Sequence, residues 1–247
     1  NIDMNKQWTF WAALVLAIAF VLGIWIAGST YLSVRKQRIV SVTGNAEQDF
    51  ESDLIVWSAS FRVQRATLGD AYTEIERERA VVQDYLKQSG LKPDGYSFGS
   101  LDVSQSYSSG YDTHGNYQQV PNGYVLTQSV TITSGDLDGV EELSKSISSL
   151  ISQGVEITSE APAYYYTSLD DLKHQMLRQA SEDALDRAEE IASGSRGKVG
   201  KLQNASMGVF QIVGKNAGED YSWGGAFNTS SRQKTISVTV RATYALR

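Results

Sequence analysis

No cysteine occurs in the chain, and only three prolines and two histidines do. Without cysteine there are no disulfides, no thiolate metal sites and no cysteine nucleophiles, and the redox compartment stays open. Basic charge is scarce as well. With Asp3, Lys6, Arg35, Lys36 and Arg38 set aside, residues 39–247 hold 18 basic against 27 acidic side chains, a net charge of −9. Such a surface repels phosphate backbones, which excludes nucleic acid as an expected partner. Catalytic patterns are missing too: there is no HExxH, GxSxG or Walker sequence. His114 sits in YDTHGNY, which reads as a loop, and His174 on the polar side of a helix, so the two make a poor zinc site. Acidic clusters at Glu74–Glu78 and Glu182–Glu190 read as solvated helix faces, and sequons at Asn204 and Asn228 arise readily by chance. The expectation is a protein without enzymatic activity, cofactor or metal.

What the chain does have is a long uncharged run. From Gln7 to Val34 no side chain is charged, and Trp8–Gly28 is largely apolar. At about 1.5 Å per residue this stretch spans roughly 32 Å, the thickness of a bilayer core. A secretory signal has a shorter apolar core, about 7–15 residues. Trp8, Trp11 and Trp25 near the two ends, with Tyr31 beyond, match an aromatic belt. The reading is a membrane anchor over residues 1–34, with its helix at about 8–31, followed by a domain over 35–247 of mixed or antiparallel sheets packed with about three helices, as one body or two α+β subdomains. Ala19, Gly23 and Ala27 form a small-residue ridge of the kind that lets membrane helices approach closely, though Ala and Gly are also simply common in such helices. Arg35, Lys36 and Arg38 outnumber Lys6, so charge alone places the large domain in the cytoplasm.

Beyond the anchor, strands and helices interleave, and the class is α+β. IVSVTGNAEQDF reads as a short strand ending in a turn at Gly44. DLIVWSASFRV alternates, with Ile55, Trp57, Ala59, Phe61 and Val63 on one face. A helix follows with Leu68, Ala71, Tyr72, Ile75, Val82, Tyr85 and Leu86 inward. Strands are expected at Tyr96–Tyr107 and Tyr124–Thr133, and a second helix at Asp136–Gly154 with Leu137, Val140, Leu143, Ile147, Leu150 and Ile151 inward. VEITSEAPAYYYT reads as a strand interrupted at Pro162. In the long helix after Ser168, Ala180, Ala184, Ala188 and Ala192 recur every four residues, a smooth stripe able to lie close against a sheet. Strands near Leu202–Val213 and Lys234–Leu246 end the chain.

Two polar loops, 104–123 and 215–233, carry Tyr107, Tyr111, Tyr117, Tyr221, Trp223 and Phe227. Tyr and Trp supply large contact area with few rotatable bonds, so these six are candidate contacts between subunits. A disordered hairpin tip explains them as well. Trp57 and Tyr164–Tyr166 can line a pocket for a small molecule, peptide or unfolded protein, but core packing accounts for them more simply.

The order VSVTGNAEQDFESD, QSGLKPDGYSF, GYVLTQSVTITSGDLDGVEELSKSISSLISQGVEI and LKHQMLRQASEDALDRAEEIASGSRGKVGKL resembles the SIMPL-domain proteins, formerly a domain of unknown function, which include a bacterial periplasmic immunogenic protein. Val42, Gly44, the turn at Asp136–Val140 and Gly197, Lys198, Val199 and Gly200 carry the likeness, which runs from about residue 39 to 247. Ser52-Asp53 stands where many members have Pro-Asp, and the Trp-rich anchor stands where many look exported by a cleaved signal. The resemblance implies no established enzymatic activity, assembly into large ring- or channel-like homo-oligomers, and an association with envelope or oxidative stress. It also reverses the orientation: N-terminus in the cytoplasm, a single pass through the bacterial inner membrane, and the domain in the periplasm. The expected partners are therefore the lipid bilayer and further copies of the chain. A periplasmic binding or chaperone-like module is the alternative.

Overall fold

A computed structural model describes residues 16–26, 28, 38–111, 116–218 and 222–247. It shows an α+β chain that divides into two compact units, one of residues 1–46, 177–208 and 238–247, the other of 47–176 and 209–237. Residues 16–26 are helical, and Ala19, Gly23 and Trp25 are exposed there; Trp8, Trp11 and Ala27 lie outside the described residues. Among the described residues, no helix is long and apolar enough to cross a membrane.

In the second unit the alternating segment becomes β2 (Leu54–Arg65), following β1 (Ile39–Glu51). Ile55, Trp57, Ala59, Phe61 and Val63 are all buried, as a period of two requires of a sheet covered on one face. Its sheet runs β3 (Tyr96–Phe98), β5 (Tyr117–Ser134), β2, β6 (Ile157–Ser159), with β4 (Asp102–Tyr111) beside β5 and β7 (Ala163–Tyr165) beside β2. Over this sheet lie α1 (Leu68–Gln88), α2 (Leu137–Ser146) and a 3-10 helix (Ile147–Gln153), which close one apolar core. Thr67 caps α1 by accepting from Asp70 N at 3.2 Å, and Asp136 caps α2 by accepting from Gly139 N at 3.1 Å.

Several inward positions need correction. Leu68, in the first turn of α1, and Tyr72, about 100° round the helix from Ala71, are exposed. The buried stripe is Ala71, Ile75, Glu78, Val82 and Leu86, so a glutamate assigned to solvent is inside. Ile151 is exposed because the chain tightens to three residues per turn at Ile147, which keeps Ile147 and Leu150 in line and swings Ile151 away.

In the first unit α3 (Leu169–Gly194) runs from Leu177 onward beside the start of β1, the end of β11 (Gln233–Leu246) and β8 (Val199–Met207), which pairs antiparallel with β11. Val40, Val42, Ala184, Ala188 and Ala242 form its core. Gly44 is not a turn. It lies within β1, and a Cβ there would collide with the Ala180 carbonyl oxygen and the Ala184 amide, and lie 2.8 Å from Ala184 Cβ. The alanine stripe therefore does what its spacing implies, but it meets a glycine whose missing side chain permits the approach.

Candidate functional site

Over its described residues, 104–111 and 116–123, the segment 104–123 is not a loose loop. β4 and β5 extend it into a two-stranded ribbon, paired from Asp102↔Thr127 out to Tyr111↔Tyr117. Its residues are mostly exposed on both faces, so it has no apolar alternation to mark it as strand. At the tip the rings of Tyr111 and Tyr117 stand edge to face, centroids 5.9 Å apart, and Tyr117 OH donates to Ser109 Oγ at 3.0 Å. Its hydrogen bonds with Ser109 and Gln119 lower the pKa of the Tyr117 phenol below the ordinary tyrosine value. Tyr107 OH donates to Gln105 Oε1 at 2.9 Å, and Gln64 Nε2, on β2, donates to Ser106 Oγ at 3.0 Å and Asn122 O at 3.2 Å. The ribbon is thus tied at its base to the core strand.

The other expected loop also holds structure. β9 (Gln211–Gly214) pairs with β11 antiparallel and with β10 (Ala226–Phe227) in parallel. Gln211 clamps Ser222 from both sides, donating to its carbonyl at 2.6 Å and accepting from its amide at 3.2 Å. The next residue, Trp223, is 100% exposed, and Phe227 is exposed too. Tyr221 and His114 lie outside the described residues. The aromatic candidates therefore fall into two sets: Tyr107, Tyr111 and Tyr117 on the ribbon, and Trp223 and Phe227 around β10. His174 is exposed on α3.

Trp57 packs in the core, its indole N–H donating to Ser159 Oγ at 3.1 Å and Glu160 O at 3.0 Å. Hollows of about 240 Å³ beside Val155 and about 270 Å³ beside Leu143 are below the usual ligand-pocket range of roughly 300–1,000 Å³. Among the described residues no group of three or more potential ligands is placed to hold a metal ion.

Besides Glu78, a second charged side chain is buried. Lys234 is 2% exposed and donates through Nζ to Tyr164 O at 2.6 Å and to Ser52 Oγ at 3.0 Å. Desolvation lowers its pKa from the ordinary lysine value. Beside it, Tyr164 OH donates to Glu141 at 3.0 Å, and burial, then that bond, raises the phenol's pKa. Arg232 joins Glu51 at 2.6 Å, Asp138, and Glu141 at 3.6 Å, and its bonds to Asp138 and Glu51 raise its pKa. A serine hydroxyl 3.0 Å from an amine has the spacing of a nucleophile and its base, but here Nζ is the donor. Ser52, however, is 4% exposed, so no acyl substrate reaches it in this conformation. The cluster ties β7, the turn after β1 and the start of β11 together. Lys234→Ala should therefore cost about 2 kcal/mol in denaturant unfolding, through lost stem packing and two unfilled acceptors. An unchanged midpoint would contradict a structural role. Asp53, adjacent to Ser52, accepts from Thr167 N at 2.7 Å and Thr167 Oγ1 at 2.6 Å, fixing the chain ahead of α3.

Residues 40–244 match the family described as SIMPL, a protein of unknown function (DUF541). The chain belongs to the SIMPL family. The match begins in β1 and ends in β11, so it takes in residues of both units. Comparison with curated proteins finds no match. In this SIMPL-family chain the ribbon and the β10 segment are exposed aromatic surfaces.

Proposed function

We propose that this SIMPL-family chain is a non-enzymatic, membrane-anchored protein that assembles into a large ring- or cage-like homo-oligomer at the bacterial inner membrane, its domain on the periplasmic side. The observation that carries the reading is the ribbon: a rigidly based, tyrosine-bearing projection with both faces exposed, which has the character of a contact and not of a core element. The uncharged run over residues 8–31 supplies one anchor per subunit, and a ring of anchors holds a membrane far more firmly than one. The exposed apolar side chains of residues 16–26 suit a lipid environment. Arg35, Lys36 and Arg38 then meet anionic head groups at the outer leaflet. A link to envelope or oxidative stress follows from the family resemblance and belongs to the same proposal.

Replacing residues 104–123 by a short turn should reduce the native mass of the detergent-solubilised protein to smaller species while leaving the far-ultraviolet spectrum of the remaining fold intact. A particle of unchanged mass would contradict the ribbon as the contact.

A further inference from the structure

The ribbon has one regular edge and one broken edge. On its far side from β4, β5 is paired with β2 only as far as Tyr124↔Arg65, so residues 117–123 run on without that neighbour. That stretch contains Pro121, and Gly123 at φ +92°. The pairing register shifts between Gln105 and Tyr107, and the partners there, Tyr124 and Pro121, put the extra residue in β5. Proline and a bulge are devices that close an edge to further pairing.

β4 has neither device. Among the described residues it pairs with β5 alone, which leaves its outer edge open from Asp102 to Tyr111, and the run Val103–Tyr111 has no proline and no charged side chain. At about 3.4 Å per residue it offers roughly 30 Å of unpaired backbone donors and acceptors. Edge strands are ordinarily guarded by lysine, proline or a bulge, and this one is unguarded.

We propose that β4 pairs with β4 of a second copy, antiparallel and edge to edge, so that two ribbons form one continuous sheet across a twofold axis. This rests on the ribbon being an assembly contact, and it adds how two copies meet. Charge selects the occupant. Residues 39–247 carry a net charge of −9, so two copies repel over most approaches, whereas β4 meets β4 without opposing charges. Centring the pair on Ser106 sets Asp102 against Gly110 of the second copy, away from another acid, and brings Gln105 beside the second copy's Tyr107. The twofold makes the contact self-complementary, as an isologous interface requires.

In this register Ser104 of each copy faces Ser108 of the other. Both are exposed, and they lie two positions either side of the centre. S104K/S108K sets lysine against lysine twice and should shift the full-length protein in mild detergent to species of at most half its native mass, with β4 amides gaining hydrogen exchange. S104K/S108D sets lysine against aspartate twice and should keep both the mass and the protection. Loss of assembly in both variants, or in neither, overturns edge pairing in this register. If the 104–123 replacement breaks the particle while S104K/S108K does not, the ribbon remains the contact and edge pairing falls. If the replacement also leaves the particle whole, the underlying reading falls with it.

Discussion

Gly44→Ala is expected to destabilise the protein by about 3 kcal/mol, and Gly44→Val by more. A Cβ at this position meets the Ala180 carbonyl oxygen and the Ala184 amide, and these are helix backbone that cannot turn aside as a side chain would. Relief requires α3 to move off β1, which opens the core of Val40, Val42, Ala184, Ala188 and Ala242. Overpacking costs typically 1–3 kcal/mol, and a collision with backbone belongs at the upper end. Ala184→Gly removes the 2.8 Å contact with Ala184 Cβ but leaves the backbone collisions, so G44A/A184G should recover little. Denaturant unfolding checks this; a loss below about 1 kcal/mol for Gly44→Ala would mean that the helix is not held so closely.

The second large effect is a dependence on pH. Glu78 is 3% exposed, on the inner stripe of α1, and its Oε2 has no hydrogen-bond partner. Burial pushes its pKa up from 4.5 to about 7, opposed by Arg77 and Arg65 and helped by Glu74 and Glu156. Arg77 lies 3.9 Å away, too far to satisfy the carboxylate by a hydrogen bond. A carboxyl whose folded pKa is raised binds protons more readily folded than unfolded. Its penalty is therefore full above pH 7, falls as the pH drops from about 7 to 4.5, and is constant below that. At roughly 1.4 kcal/mol per pH unit of displacement the penalty approaches about 3 kcal/mol. The carboxyls of Asp49, Glu74 and Asp183 are lowered by their partners, so their support is lost only as acid takes the pH below the ordinary carboxylate range. Stability should accordingly peak near pH 5. Glu78→Gln should flatten the change between pH 5 and pH 8 and stabilise at pH 8 by about 2 kcal/mol. A wild-type protein no less stable at pH 8 than at pH 5 would contradict a buried carboxylate whose Oε2 has no hydrogen bond.

The same residues show where the sequence was legible. The strand Ile55–Val63 and the alanine stripe of α3 could be read because burial on one face imposes a period on the apolar residues. Glu78 and Lys234 obey those periods too. Glu78 stands three residues after Ile75 and four before Val82, and Lys234 two before Ile236, in the inward phase of β11. The charge of Glu78 suggests solvent, but for both residues the phase is the better guide and places them inside. The ribbon is hidden for the opposite reason: a strand wet on both faces has no pattern, and its Gly, Ser and Tyr composition reads as loop. Gly44 looked like a turn because the helix carbonyl that requires a glycine there lies far along the chain, in α3. Trp223 was found as an exposed aromatic, but the clamp from Gln211 that holds its neighbour is a tertiary contact no local pattern announces.

The most direct test of the account is the native mass of the intact chain in mild detergent, measured by light scattering over a range of protein concentrations with negative-stain images of the same samples. The account predicts one discrete, closed particle of many subunits whose mass holds on dilution. A monomer or simple dimer across the range would contradict it.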